Sequence, residues 1–330
     1  SSNSVTLNMS SFVIDTTAPT ITSFTSSTAD GSYKSADTVN ITATASEAVF
    51  SGNTITATLD TSDNVTLTAA DNGTTLVGTY TVGAGDNSND LTVSSFSIGT
   101  VTDIAGNAMA STTVPGTNIA SGSAIVIDTT PPTVSAVAIT DGAGKQNNFF
   151  NVGDNVSVTV TFSENSPVTG TPQLTLAVGD DNRTADYTSS GSGDATKVFK
   201  YTIQAGDNDA NGISIRANAL ALDNGTIMDL AENNAILSHS PVSDNNSYMV
   251  DTEAPRVDNF TMDDKLLTIG DNATVTLVFS EAVCGASSGC SATQTGGTDF
   301  SSADITSPNG SLNNTMSSNQ TNDNKTIWTG

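Results

Sequence analysis

Apolar and polar side chains alternate along short runs of the chain. Between residues 156 and 163 Val or Phe alternates with Ser or Thr, and the run from 275 to 279 shows a similar pattern. A period of two places alternate side chains on opposite faces of a β-strand. These runs therefore predict strands with one buried face. The side chains expected to face the core are Val156, Val158, Val160, Phe162, Val275, Leu277 and Phe279.

Clusters of Gly, Asn, Asp and Pro separate these runs and mark turns. In the middle of the chain we expect strands near residues 133–140, 155–164, 172–179, 183–190, 196–203, 212–222 and 246–251. Seven short strands in about 120 residues are typical of an immunoglobulin-like (Ig-like) sandwich. The alternatives are a cadherin-like sandwich of different topology and a β-solenoid, which is disfavoured because its repeat would be nearer 20–30 residues.

Three sequence motifs recur in a fixed order. The first motif is FVIDTTAPTI at 12–21, AIVIDTTPPTV at 124–134 and YMVDTEAPRV at 248–257. The second is ADTVNITATASEAV at 36–49, GDNVSVTVTFSENSPV at 153–168 and GDNATVTLVFSEAV at 270–283. The third is YTVGAGDNSND at 80–90 and YTIQAGDNDAN at 201–211. Ordered recurrence at a fixed period indicates tandem repeats.

The motifs divide the chain into tandem units. Residues 1–14 read as the last strand of a preceding repeat, 15–127 as the first repeat, 128–250 as the second and 251–330 as a third that is incomplete at its C-terminus. The predicted fold class is all-β, with tandem Ig-like β-sandwich domains in an elongated array. We expect the chain to be part of a longer array.

The charge balance narrows the choice of partner. The 330 residues carry nine Lys and Arg against 34 Asp and Glu, a formal net charge of -25. Nucleic acids and anionic membranes are bound through Lys and Arg, so neither is an expected partner. No apolar run approaches the ~20 residues of a membrane span. Only five of the acids are Glu. The rest are Asp, which disfavours helix interiors, so the composition argues against helices.

The motifs also carry a family resemblance. IDTTAPT, IDTTPPT and DTEAP, with TFSENSPV or TLVFSEAV behind them and VTDIAGNAM closing a unit, resemble the bacterial Ig-like repeats of very large secreted surface adhesins. The resemblance implies extracellular display at the cell surface, a rod of tandem sandwiches and calcium at or near the domain junctions. The same modules serve as stalks, S-layer parts and spacers in secreted enzymes.

Acidic and amide side chains are expected to converge at one end of each sandwich, where the residue before the first strand, the end of the second strand and the last long connection meet. Carboxylate and amide oxygens are the ligands that Ca²⁺ prefers. The open alternative is that these residues cap turns, with Gly106 at a positive φ. The candidate ligands are Asp15, Glu47, Asp103 and Asn107 in the first repeat, Asp128, Glu164, Asp229 and Asn233 in the second, and Asp251 and Glu281 in the third.

The loop AGDNDANG at 205–212 is a second candidate for calcium. Asp207, Asp209 and Asn211 match the first half of a D-x-[DN]-x-[DN]-G loop. The twelfth position is Asn218 rather than Glu, and a strand is expected after it, which excludes an EF-hand. A calcium-loop-like turn completed by ligands from a neighbouring linker stays open.

Two cysteines lie six positions apart in a Gly- and Ser-rich segment. Cys284 and Cys290 are close enough for a local disulfide, with two free thiols as the alternative.

Catalysis is not expected. The one histidine, His239, lies in a polar stretch and is expected to be exposed to solvent. It leaves no histidine pair for a metal hydrolase, and the sequence has no phosphate-binding G-x-x-x-x-G-K motif.

The sequence therefore predicts a non-catalytic extracellular stalk of a cell-surface adhesin or biofilm protein, stiffened by calcium at its domain junctions. The alternatives are an S-layer or extracellular filament subunit that assembles by lateral or strand-exchange contacts, and a spacer in a secreted enzyme. The expected partners are neighbouring repeats of the same chain, other copies in an assembly, and a surface or carbohydrate ligand bound by regions outside this window.

Overall fold

The structure is a computed structural model that describes residues 13–188 and 194–281, together with the backbone of two short strands at 317–318 and 327–329. Residues 1–12, which make up most of the segment 1–14 predicted as the last strand of a preceding repeat, and the predicted Cys284–Cys290 disulfide lie outside the described residues.

The described chain is essentially all-β. Its helical content is a single 3-10 turn at Ile119–Ser121, and within the described residues no helix is long and apolar enough to cross a membrane. The strands are β1 (Ile21–Thr25), β2 (Gly31–Tyr33), β3 (Thr38–Val49), β4 (Thr54–Leu59), β5 (Asn64–Ala69), β6 (Gly73–Thr81), β7 (Asn87–Ser88), β8 (Val93–Thr100), β9 (Ile125–Asp128), β10 (Val134–Ala143), β11 (Phe149–Phe150), β12 (Asn155–Phe162), β13 (Val168–Thr169), β14 (Gln173–Val178), β15 (Asp181–Thr188), β16 (Thr196–Thr202), β17 (Leu220–Ala221), β18 (Thr226–Ile227), β19 (Met249–Val250), β20 (Val257–Met262), β21 (Val275–Phe279), β22 (Ser317–Ser318) and β23 (Ile327–Thr329).

The main sheets follow one strand order. The first is β1-β3-β6-β5-β4-β8 and the second is β10-β12-β16-β15-β14-β17, so the two correspond strand for strand. A third sheet, β20-β21-β23-β22, follows the first four places of that order. The registers also correspond, because Val39 lies opposite Tyr80 in the first sheet and Val156 lies opposite Tyr201 in the second.

A smaller sheet completes each core. In the first repeat β2, β9 and β7 form a three-stranded sheet, and in the second β11 pairs with β19. Ile125 and Ile127 of β9 belong to the same buried cluster as Phe24 and Ile41 of the six-stranded sheet. Apolar side chains from two layers therefore share one core, as in a β-sandwich.

The alternating pattern behaves as the sequence predicts. Half-buried and buried side chains alternate strictly along β12, and Val156, Val158 and Val160 are completely buried. The strand expected over 212–222 forms differently, since only Leu220–Ala221 pairs with β14 as a strand. Asn218 has φ +58°, a left-handed conformation that interrupts an extended run.

Candidate metal centres

Two groups of three carboxylates occupy matching places in consecutive repeats. The first acidic cluster is Asp15, Glu47 and Asp103, and the second acidic cluster is Asp128, Glu164 and Asp229. Within each cluster one carboxylate oxygen from each residue lies within 4.8 Å of the others.

The second acidic cluster forms where two repeats meet. Asp128 is the last residue of β9, and its backbone pairs with Asn87 in the small sheet of the first repeat. Glu164 follows the end of β12, and Asp229 follows β18, both in the second repeat. One carboxylate comes from the linker and two come from the next repeat, so a cation bound to all three would join the linker to the repeat that follows it.

An asparagine four residues after the loop aspartate holds each cluster in shape. The side-chain amide of Asn233 donates to Asp229 Oδ2 at 2.8 Å and to the backbone carbonyl of Asp128 at 2.9 Å. In the first repeat Asn107 donates in the same way to Asp103 Oδ2 at 2.8 Å and to the carbonyl of Asp15 at 3.2 Å. The two predicted asparagine ligands therefore fasten the linker to the loop through their side-chain N–H groups.

The linker aspartates also cap turns. Asp15 Oδ1 accepts the Thr17 N–H at 2.9 Å, and Asp128 Oδ1 accepts the Thr130 N–H at 3.0 Å. Gly106 has φ +97° in the tight turn after Asp103. The turn-capping interpretation is therefore confirmed, and it occupies one oxygen of each linker carboxylate.

Burial and neighbouring negative charges both raise the pKa of the clustered glutamates. Burial raises the pKa of Glu164, and the charges of Asp128 and Asp229 raise it further. Burial, followed by Asp15 and Asp103, likewise raises the pKa of Glu47. None of the six clustered carboxylates takes part in the ion pairs of the described residues. A cation would offset this repulsion.

The loop aspartate of the first acidic cluster, Asp103, has a lowered pKa. Burial alone would raise the pKa of Asp103, but hydrogen bonds from the side chain and backbone of Asn107 and from neighbouring backbone N–H groups lower it overall. Asp103 is 1% exposed and Asp229 is 5% exposed. Each cluster thus contains one buried carboxylate that is held in place by its own turn.

The geometry fits a hard divalent cation. Ca²⁺ binds oxygens at about 2.3–2.6 Å, so two ligands on opposite sides of one ion lie at most about 5 Å apart. The three carboxylate oxygens of each cluster lie within 4.8 Å of one another, close enough for one ion to contact all three. The three carboxylates of each cluster would hold the ion, and backbone carbonyls or water would complete its six to eight ligands.

The third repeat brings together its two predicted ligands. Burial raises the pKa of Glu281, and Asp251 raises it further through its charge and a side-chain hydrogen bond. Asp251 Oδ1 also caps the Glu253 N–H at 3.1 Å. The linker aspartate therefore meets its glutamate here as it does in the other two repeats.

The 205–212 loop has a different arrangement. Asp207 is fully buried and accepts hydrogen bonds from Arg183, Tyr201 and the Gln204 N–H. Asp209 is 4% exposed, and its Oδ2 accepts the Gly179 N–H. Protein donors therefore surround both carboxylates, and neither belongs to an acidic cluster.

Asn211, the third candidate ligand in that loop, directs its side chain towards Asp244. Asn211 donates its side-chain amide to Asp244, and its backbone N–H reaches Asp209 Oδ1 at 3.3 Å. In this loop the carboxylates fix the backbone, which is the role expected of Asx turns.

An aspartate that accepts a hydrogen bond from a tyrosine occurs in both repeats, half-buried in the first and fully buried in the second, and the sequence argument missed it. Tyr80 donates to Asp86 in the first repeat as Tyr201 donates to Asp207 in the second. Matching strand registers place Asp63 of the first repeat where the second has Arg183. Asp86 therefore faces a second carboxylate where Asp207 has an ion pair.

Another set of acids was missed although its spacing was readable. Asp37, Asp154 and Asp271 recur every 117 residues. Each carboxylate accepts the backbone N–H three residues earlier, from Lys34, Asn151 and Thr268 respectively. These residues cap the turn before the second main strand of each repeat.

His239 was expected to be exposed and is instead half-buried. Its Nε2 accepts the Ala219 N–H at 2.9 Å, while Nδ1 lies 2.8 Å from the Ser240 carbonyl. An accepting Nε2 leaves the proton of a neutral ring on Nδ1, which then donates to Ser240. The imidazole thus joins two backbone segments.

No protein-family model matches the chain, and no curated protein matches it significantly.

Proposed function

We propose that this chain is a non-catalytic structural segment of an extracellular surface protein, the stalk of an adhesin or biofilm protein. Its sandwiches would be tandem Ig-like domains that calcium stiffens at their junctions. The observation that carries the proposal is the second acidic cluster, in which a linker residue paired with the first repeat meets two carboxylates of the second.

A cation at this cluster would act on the linker. Asp128 belongs to β9, whose Ile125 and Ile127 side chains are buried in the core of the first repeat. The same residue meets Glu164 and Asp229 of the second repeat. An ion bound to all three would restrict the bend between the repeats, and the repeating pattern extends this effect along the array.

Calcium is the cation that the ligands and the expected location favour. The clusters offer oxygen ligands with three formal negative charges each, a set that suits a hard cation. Extracellular calcium modules work with dissociation constants of about 10⁻⁴–10⁻³ M. The resemblance of the repeat motifs to bacterial surface adhesins supports both the Ig-like assignment and the extracellular location.

The experiment compares the chain in calcium and in excess chelator. Thermal unfolding reports binding, because a ligand of the native state raises the melting temperature by mass action. Small-angle scattering reports the length and stiffness of the particle. We expect calcium to raise the melting temperature of the second repeat and to lengthen the particle.

Single substitutions distinguish calcium binding at the second acidic cluster from a general effect of net charge. Asp128→Asn and Glu164→Gln should each weaken the calcium response. Asp180→Asn removes the same charge from an exposed residue outside both acidic clusters and should leave it intact. A chain whose melting temperature and scattering ignore calcium would contradict the proposal, and regular lateral contacts between copies in imaged assemblies would then favour an S-layer or filament subunit.

A further inference from the structure

The first and second repeats touch through a lysine and a glutamate 198 residues apart in sequence. Lys34 Nζ lies 3.7 Å from Glu232 Oε2 and donates a hydrogen bond to the Glu232 carbonyl at 3.2 Å. The lysine follows β2 in the first repeat, and the glutamate lies in the turn after Asp229 in the second. This contact is direct and needs no cation.

Glu232 adopts an unfavourable backbone conformation. Its φ is +65°, and the matching position of the first repeat is Gly106 at φ +97°. Glycine takes this region without a steric penalty, whereas an L-residue with a side chain pays about 1–2 kcal/mol for it. A residue held in such a conformation points to a role for its side chain.

Neither partner recurs at its matching position. The turn-capping bonds to Asp37, Asp154 and Asp271 align Lys34 with Asn151 and Thr268. Gly106 takes the place of Glu232 in the first repeat. The lysine and glutamate are therefore matched to one another at this junction alone among the described residues.

An open cleft between the repeats lies beside the contact, and Glu232 is one of the residues that line it. The cleft has a volume of about 390 Å³, and Tyr33 of the first repeat and Leu230 of the second both line it. Leu230 is 73% exposed, so apolar packing leaves the junction only partly closed. Space of this size permits a hinge movement that the lysine and glutamate would oppose.

We propose that Lys34 and Glu232 form a junction clasp, a cation-independent contact that sets the orientation of the first repeat on the second. The clasp goes beyond the calcium role proposed for the acidic clusters, and it acts at one junction rather than along the whole array. An exposed ion pair is weakened by salt, so the clasp should hold at low ionic strength and loosen at high ionic strength.

The first test is zero-length cross-linking of the full chain in excess chelator at low protein concentration. A carbodiimide joins a lysine amine and a carboxylate as an amide with loss of water, and peptide mass spectrometry locates the bond. We expect a cross-link between Lys34 and Glu232 within monomeric chains, and it should be absent from Glu232→Gln. Its absence from the wild-type chain would overturn the proposal.

The second test uses two substitutions at one position. Glu232→Gly removes both the side chain and the backbone strain, whereas Glu232→Gln keeps a side chain at positive φ and removes only the charge. In chelator at low salt, both variants should broaden the range of inter-repeat angles seen by small-angle scattering. Only Glu232→Gly should also raise the melting temperature of the second repeat, by a few degrees.

In Glu232→Gly, the junction should become less ordered while the second repeat becomes more stable. This combination distinguishes a clasp from a residue that merely supports its own turn. Scattering profiles of both variants that coincide with the wild-type profile at low salt would overturn the proposal. Because every measurement is made in chelator, a failure of the clasp leaves the calcium response unaffected, and a failure of the calcium response leaves the clasp unaffected.

Discussion

Asn233 donates its side-chain amide to the backbone carbonyl of Asp128, a residue 105 positions earlier, at 2.9 Å. The same amide donates to Asp229 Oδ2 at 2.8 Å. One asparagine thus ties the inter-repeat linker to the loop that carries the buried carboxylate.

Asn233→Ala should therefore destabilise the second repeat. Two hydrogen bonds are lost and a buried carboxylate loses a donor, which costs about 1–3 kcal/mol. Calcium affinity should also fall, since Asp229 is no longer held in place. Denaturant unfolding with and without calcium measures both effects. Asn107→Ala is the matched variant of the first repeat, and an unchanged unfolding midpoint for both variants would refute the bridging role.

Glu164→Gln should change stability in opposite directions with and without calcium. The raised pKa of Glu164 means that its charge is unfavourable in the folded state at pH 7, and stability from its protonated form is lost as pH rises through that pKa. In chelator at pH 7 the variant should melt at a higher temperature than the wild type, and the difference should shrink near pH 4. In calcium it should lack the wild-type gain. A variant less stable than the wild type in chelator would contradict this account.

Ala36→Gly should stabilise the first repeat. Ala36 has φ +76°, while the matching residues of the next two repeats are Gly153 at +91° and Gly270 at +102°. Relief of about 1–2 kcal/mol of left-handed strain exceeds the roughly 0.5–1 kcal/mol that glycine loses through chain entropy. We expect a net gain of about 0.5–1 kcal/mol by chemical denaturation. Gly153→Ala is the reverse control and should destabilise the second repeat.

Lys197→Leu should stabilise the second repeat. Lys197 is fully buried, its amine donates to the Asp194 carbonyl, and Leu76 fills the matching position of the first repeat. Removing a buried ammonium in favour of an apolar side chain should gain roughly 1–3 kcal/mol. Lys200→Leu, at an exposed position of the same strand, should have little effect.

The pH dependence of the wild type gives an independent check on Lys197. Burial lowers its pKa, and the charge of Asp194 opposes that effect only in part. Between the lowered folded pKa and the ordinary value of 10.5 the unfolded chain binds more protons, so stability rises with pH. Lys197→Leu should lack this rise, and an equal rise in the variant would show that another group causes it.

Asp63→Arg should transfer the ion pair of the second repeat to the first. Burial and the neighbouring Asp86 raise the pKa of Asp63, so Asp63 contributes stability at low pH that is lost as pH rises through that pKa, whereas the lowered pKa of Asp86 acts in the opposite direction. An arginine would replace this repulsion with attraction, a gain of roughly 1 kcal/mol at pH 7. Thermal melts from pH 4 to 8 should show the gain and a weaker acid response. Arg183→Asp is the reciprocal control and should destabilise the second repeat.

The sequence alone determined the period, most strands of the second repeat and the residue types of the acidic clusters. Alternation predicted the buried face of β12, and the recurring Asp, Glu and Asp-x-x-x-Asn positions predicted which carboxylates would meet. These properties are local or repeat with a fixed spacing, so they can be read from residue order. The 117-residue recurrence of Asp37 was equally readable and indicates a turn cap.

Only the tertiary structure decided how each acid is used. Asp207 and Asp229 are both buried aspartates next to turns, yet Arg183 and Tyr201 surround the first while Asp128 and Glu164 approach the second. Tyr201 lies only six residues from Asp207, but Arg183 lies 24 residues away, and Asp128 and Glu164 belong to segments far from Asp229. Residue order therefore does not show which of these partners reach each aspartate. Residue order also does not show the contact between Lys34 and Glu232, because this contact depends on how one repeat meets the next.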